Sequence, residues 1–424
     1  MESSPPSMSR REFAVLSAAT AGALLSPTSS TAKRNDSITS ESVSDATTDL
    51  YEFLLDRVES DFSLPTLIRF DDDSGFATLD DLDVQYRTHS GEATVAHANL
   101  TPDQARQVGE QGETVRMEYS PGSNPFWKLA AYEDGVFLEP EDSVDFIAFD
   151  EALAGLEHLE NEHPSRLNVE TVGEGGGHYN HFEERDDPRA VWAVELTENV
   201  SDPASFEAKE KLVFSMSIHG DERAGVEAGL RFVEGVLEGE FPEVEDLLSE
   251  FVLVFVSSNP DGWVVRERVY EDPVDPRDFR RFNSNDYDLN RQFPTVGWIS
   301  PDNRPAEPSG GNLVDDTPGE IDDDVPGRVS RNVPAPLAIV DHLRSYQNVS
   351  YFLDLHGMYA HTNAVVSITE GGFGLRTAAE MEVWNRTIES ELTDALGGVE
   401  EFDDTFQKAI DDTDEQIGCQ SDFF

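Results

Sequence analysis

Apolar residues fall along this chain in two rhythms. Unbroken runs rich in Val, Leu, Ile and Phe occur at residues 189–196, 212–218, 251–256 and 349–355. At residues 149–162 and 226–237 the apolar positions recur instead at helical spacing, and the first of these segments stops at His163-Pro164, a usual helix end. Continuous apolar strands alternating with helices predict an α/β fold: a mostly parallel mixed sheet covered by helices on both faces. The rhythm is weaker upstream. Residues 50–144 hold one helical stretch (50–58) and strand-like runs at 114–119 and 127–132, with no recognisable chemistry. A propeptide, a small accessory domain and an elaborated edge of the main domain all fit this N-terminal accessory region. Residues 300–335 break the pattern with Pro, Gly and Asp and read as a long surface insertion.

The first residues change the picture. Ser9-Arg10-Arg11-Glu12-Phe13 precedes a short apolar segment (14–25), and Ser30-Thr31-Ala32 offers a cleavage point. This resembles a twin-arginine signal over residues 1–32, which addresses a folded protein for export to an extracellular or cell-surface location. The apolar segment is far shorter than the roughly 20 residues of a membrane span. Residues 33–49, rich in Ser, Thr and Asp, read as a flexible linker. The main domain is then expected over 145–424.

Composition adds a strong constraint. Asp and Glu number 86 against 30 Lys and Arg, a formal net charge of −56. Lysine occurs only at Lys33, Lys128, Lys209, Lys211 and Lys408, and the acids are interleaved with apolar residues along the whole chain. With 38% hydrophobic residues the chain can still build a core, so disorder is excluded outside the linkers. This low-lysine, acidic composition resembles that of proteins from salt-accumulating halophilic archaea. The charge sign excludes nucleic acid as a partner. Cys419 is the only cysteine, so no internal disulfide forms.

Chemistry gathers at the strand ends. The run at 212–218 delivers His219 and Glu222 into a glycine-flanked turn, and both side chains are zinc-ligand types. The run at 251–256 enters Asn259-Pro260-Asp261-Gly262. Arg280-Arg281-Phe282-Asn283 and Asp288-Leu289-Asn290-Arg291-Gln292-Phe293-Pro294 follow, and the last run delivers His356-Gly357. Each also has an ordinary reading: a helix-start histidine with a first-turn acid, a plain turn, a surface arginine, a hydrogen-bonded core histidine. Together they put two histidines, a glutamate and several arginines on one rim of one sheet, where ligands bind in open α/β folds.

The ordered set His-x-x-Glu, Asn-Pro-Asp-Gly, Asp-Leu-Asn-Arg-x-Phe-Pro and Asp-Leu-His-Gly resembles the zinc carboxypeptidase family, the carboxypeptidase A-like metallopeptidases, over residues 145–424. The resemblance implies one Zn2+ per chain held by His219, Glu222 and His356. It implies a peptide substrate whose free C-terminal carboxylate is gripped by Asn290 and Arg291. Arg281, with Arg280 as the alternative, would polarise the scissile carbonyl. The family's general-base glutamate has no clear counterpart. Glu370 is the nearest upstream acid, at a position that does not match the family's. The last residues, Asp422-Phe423-Phe424, resemble the stretch just before the family's tyrosine loop and glutamate-bearing strand. On that reading the C-terminal strands are missing and the chain is truncated or inactive. An aspartoacylase-like zinc amidohydrolase and an inactive zinc- or peptide-binding homologue are the rival functions.

A compact body with a net charge of −56 repels itself unless salt screens it; the screening length shrinks to about 3 Å at 1 M. Circular dichroism should therefore lose its native signal in dilute buffer and regain it in concentrated KCl. A full signal with a cooperative melt at low salt would overturn this.

Overall fold

The apolar runs assemble into a five-stranded sheet in the computed structural model, which describes residues 46–356 except 93, 112, 271–278 and 292–333, together with Val383 and Thr387. The signal segment, most of the linker, nearly all of the 300–335 insertion and Glu370 lie outside the described residues. The strands are β5 (Leu167–Glu174), β8 (Ala190–Leu196), β9 (Glu210–Met216), β10 (Phe251–Ser257) and β11 (Val349–Leu355), in the order β11-β9-β10-β8-β5. Two short strands, β6 (His178–Asn180) and β7 (Arg185–Asp187), pair with each other between β5 and β8.

β9 runs parallel to both β10 and β11, whereas β8 is antiparallel to both β10 and β5. The sheet is thus mixed, with half of its described pairings parallel. The run at 189–196 gave no hint of its direction. β8 is buried on both faces, and a strand covered on both sides is continuously apolar whichever way it runs.

Helices cover both faces. On one lie α4 (Phe149–Glu162) and α5 (Ala224–Glu238). In α5, Val226, Leu230, Val233 and Leu237 are buried, the spacing of one helical face. Gly239, at φ +83°, ends the helix in the left-handed conformation. On the other face α6 (Pro334–Ser345) packs Ile339, Val340 and Leu343 in a cluster with Val191, Ala193, Val252 and Val254.

The N-terminal region has its own sheet. β1 (Leu64–Phe70), α2 (Phe76–Asp81), β2 (Tyr86–Thr88), β3 (Val95–Leu100), α3 (Pro102–Gly109) and β4 (Thr114–Tyr119) follow α1 (Asp49–Leu55). The strand order β2-β3-β1-β4, all antiparallel, is that of a split β-α-β-β-α-β unit. The strand-like run at 127–132 is instead a 3-10 turn, Trp127–Leu129, closed by Ala130 at φ +51°. Its side chains bind the backbone locally: Trp127 Nε1 donates to Pro121 O (2.8 Å) and Lys128 Nζ to Tyr119 O (2.6 Å). No helix among the described residues is long and apolar enough to cross a membrane.

One buried and one half-buried carboxylate bind the segment after β4 to the larger sheet's helices. Glu151 in α4 accepts from the backbone N–H groups of Ser123 (2.8 Å), Asn124 (2.7 Å) and Ala148 (2.9 Å). Glu234 in α5 accepts from Val136 (2.6 Å) and Phe137 (2.7 Å). Glu151→Ala strands three N–H groups, each costing about 1–3 kcal/mol when buried without a partner. Denaturant melts at high salt should lose at least about 2 kcal/mol in that variant. A change within about 0.5 kcal/mol, the range of an ordinary surface substitution, would show that the carboxylate is dispensable.

Candidate metal centre

The turns after β9 and β10 meet backbone to backbone, and the start of α5 meets the end of β11. After β9 the chain turns through Ser217 at φ +49°. Ser217 Oγ donates to Glu222 O (2.6 Å) and accepts from Val226 N (3.1 Å), closing a loop that carries His219 and Glu222. After β10, Asn259 Oδ1 accepts from Gly262 N (2.9 Å), and its Nδ2 donates to Arg281 O (3.0 Å). Arg280 N donates to Gly262 O at 3.1 Å. A Cβ on Gly220 would overlap the Gly262 and Arg280 backbones, and one on Gly225 would lie 2.6 Å from Leu355 O. Glycine is required there because main chains touch where a side chain would stand.

These contacts fix the side chains. His219 Nδ1 and His356 Nδ1 each lie 2.8 Å from a different oxygen of Glu222. One ligand atom from each of the three residues lies within 4.8 Å of the others. Behind the imidazoles stand two more carboxylates: Asp288 Oδ1 is 3.2 Å from His219 Nε2, and Asp354 Oδ2 is 2.8 Å from His356 Nε2. A carboxylate behind Nε2 holds the proton there and leaves the Nδ1 lone pair facing Glu222, the arrangement that orients a metal-ligating histidine. Lone pairs held 2.8 Å from carboxylate oxygens repel unless a cation lies among them. His219, Glu222 and His356 therefore suit a divalent metal.

Their acidities point the same way. Burial disfavours the charged form of His356, but Asp354 and Glu222 overcome it and hold the imidazole up at about 10. Burial would raise Glu222, yet hydrogen bonds and charge from His219 and His356 bring it down to about 2. The pocket thus favours positive charge around an ionised Glu222.

Arg281 reaches the same centre. Its NH1 lies 3.0 Å from His219 Nδ1 and 3.3 Å from Glu222 Oε1, and its Nε and NH2 donate to Asp288 Oδ2 (3.1 and 2.9 Å). Arg280 turns to Asp286 instead. Asn290 Nδ2 lies 3.3 Å from His356 Nε2, and its backbone N–H donates to Asp288 Oδ1 (2.9 Å). Arg291 ends the 3-10 turn Leu289–Arg291; its side chain, like Glu370, lies outside the described residues. Reading the sequence did not assign Asp288 or Asp354 a role. Their signal was an aspartate two positions before Asn290 and before His356. Asp261 was also missed: its carboxylate accepts from Gly176, Gly177 and Ser284 N–H and from the Ser284 hydroxyl, holding the floor of the site.

A family model described as zinc carboxypeptidase matches residues 153–370. Carboxypeptidase D of Anas platyrhynchos is 31% identical over 143 residues, covering 33% of this chain and 9% of its own length. The chain therefore spans under a tenth of that curated relative. Among solved structures, carboxypeptidase A from Helicoverpa armigera is similar at 16% identity and a TM-score of 0.41, over 78% of this chain and 77% of that one. Thrombin activatable fibrinolysis inhibitor (TAFI) is similar at 13% identity and a TM-score of 0.44, over 80% and 82%.

His219→Ala and His356→Ala should each lose most bound zinc by elemental analysis; stoichiometric zinc in both would refute the ligand set. Asp288→Asn, which leaves all three ligands in place, should weaken zinc about 10–100-fold in competition with a chelator. An unchanged affinity would deny Asp288 its orienting role.

Proposed function

The chain belongs to the zinc carboxypeptidase family, and on that footing we propose that it hydrolyses C-terminal residues from peptides. The observation that carries this reading is the convergence of two imidazole Nδ1 atoms on the Glu222 carboxylate with the Arg281 guanidinium beside them. His219, Glu222 and His356 would hold the zinc, leaving a position open for water. When bound, zinc supplies a Lewis acid and lowers the pKa of water to about 7.

The protein's own groups do the rest. Arg281 supplies fixed positive charge where negative charge builds on the carbonyl oxygen, a contribution of about 10²–10³ in rate for one donor. Asp288 holds that guanidinium through two N–H groups, so Arg281 is aimed before substrate arrives. Asn290 and Arg291 would take the substrate's terminal carboxylate, whose two oxygens match a guanidinium fork. Glu222, Asp288 and Asp354 are each engaged with an imidazole, so the proton acceptor is another group.

We also propose export by the twin-arginine route into a saline exterior, on the strength of Arg10-Arg11 and the net charge of −56. Replacing both arginines by lysine should keep the protein inside the cell; undiminished export would remove that assignment.

Free-acid and C-terminally amidated peptides separate the exopeptidase reading from its rivals. Amidation should weaken binding as much as Arg291→Ala does, by about 2–5 kcal/mol for a broken charge-assisted contact. Equal affinity for both peptides would leave an endopeptidase or a binder, and turnover of N-acyl amino acids instead of peptides would favour an amidohydrolase.

A further inference from the structure

A second cluster of ligand-type side chains lies under α6, away from the turns that build the metal centre. Glu170 on β5 and Glu195 on β8 are diagonal neighbours, since Asn168 pairs with Glu195 and Glu170 with Ala193. Side chains so placed share one face of a sheet. Ala193 is part of the cluster that packs against α6, so this is the face the helix covers. α6 contributes His342, and Tyr346 follows immediately after it. His342 Nδ1 lies 3.2 Å from Glu170 Oε1, and His342 Nε2 lies 2.6 Å from the Tyr346 hydroxyl. That hydroxyl also donates to Glu195 Oε1 at 2.6 Å. Ligand atoms of Glu170, Glu195 and His342 all lie within 4.8 Å of one another.

The cluster is short of one positive charge. Three contacts join its four groups, Glu170 to His342 to Tyr346 to Glu195, and each needs a proton between its partners. A neutral imidazole carries one proton and a tyrosine hydroxyl one, so one contact must oppose two lone pairs. A charged imidazole would cure this, but burial pushes His342 down to about 4. Burial and the nearby Glu195 charge raise Glu170 to about 7, so a proton on Glu170 fills the contact only up to neutral pH and the deficit stands above it. Lys211, the cation that acts on Glu195, has its Nζ occupied by the carbonyls of Phe206, Glu207 and Lys209.

We propose that Glu170, Glu195 and His342 form a second, structural site for a divalent metal of the zinc type. One imidazole and two carboxylates are a donor set that zinc accepts, at roughly 2.0–2.2 Å from each atom. The three donors come from two paired strands and a helix, so little chain need be ordered on binding. Glu170 is the open side, with its side chain 45% exposed against 11% for His342. Asn168 Nδ2, donating to Glu195 Oε2 at 2.8 Å, and the Tyr346 hydroxyl orient the Glu195 carboxylate as outer partners do. Bound metal would fasten α6 to β5 and β8, and α6 leads directly into β11, which carries His356. The site is independent of the peptidase reading.

The test uses the full-length His219→Ala/His356→Ala protein, purified at high salt, so that the first centre cannot hold metal. Zinc is titrated calorimetrically, content is measured after dialysis, and thermal melts are run with and without zinc. About one equivalent of zinc should remain bound, and the melt should shift upward on adding zinc. Adding His342→Gln, which keeps the side chain's bulk, should remove both effects, and Glu170→Gln should weaken binding about tenfold or more. Circular dichroism confirms that each variant is folded. No zinc in the starting variant would overturn the proposal and leave a proton as the missing charge. Zinc that persists after His342→Gln belongs to the acidic surface and would overturn it equally.

Discussion

Everything at the carboxyl end of the main sheet depends on cancelling negative charge in a place where water is scarce. Glu222 and Asp288 are buried, and the Asp354 carboxylate is 8% exposed. Against these three carboxylates stands one described guanidinium in contact, that of Arg281. With neutral imidazoles these described groups sum to two negative charges, the amount one divalent cation carries. Uncompensated charge of that size would cost several kcal/mol per ion. The fold therefore makes a site that wants a dication before any substrate is considered. The raised pKa of His356 and the lowered pKa of Glu222 express the same demand through protons.

Holding such a charge pattern requires rigid supports, and here they are main-chain contacts. Gly220 and Gly262 let the turns after β9 and β10 touch, and Gly225 lets α5 touch the end of β11, without intervening side chains. Asn259 and Asp261 spend their polar atoms on backbone N–H and C=O groups of these and neighbouring loops. The turn sequence Asn-Pro-Asp-Gly acts on the site through main chain, by Asn259 Nδ2 on Arg281 O and Gly262 O on Arg280 N. It aims Arg281 by fixing the peptide on either side of it. A catalytic constellation must be held to fractions of an ångström, and backbone-to-backbone contact is stiffer than any packing of long side chains.

Much of this was legible in the sequence because each signal was local. The strands at 251 and 349, the helix at 149–162 and the His-x-x-Glu turn announce themselves by spacing within a dozen residues. What stayed hidden depended on pairing across the chain. β8 could not reveal that it runs antiparallel, since burial on both faces erases directional pattern. Asp288 became the partner of His219 only when the chain folded back across a separation of 69 positions. The Trp127 segment was lost to side-chain-to-backbone hydrogen bonds, which no count of apolar positions detects. The small N-terminal sheet was mostly missed because its strands are short and its Arg, Thr and Glu positions blur the alternation.

The charge composition, read at first as a property of the surface, also organises the interior. Glu151, Glu234 and Asp261 are turned inward, and each accepts two or more backbone N–H groups from a distant loop. All three described lysines do the converse, since Lys128, Lys209 and Lys211 place their ammonium groups on backbone carbonyls. Lysine is thus scarce overall but present, among the described residues, where a long, flexible cation can gather several carbonyl oxygens. Such internal bonds are shielded from salt far better than surface pairs. The interior carboxylate and ammonium contacts thus decide which loops lie against which helix: Glu151 and Glu234 hold the segment after β4 to α4 and α5, and Asp261 holds the 176–177 turn to the turn after β10.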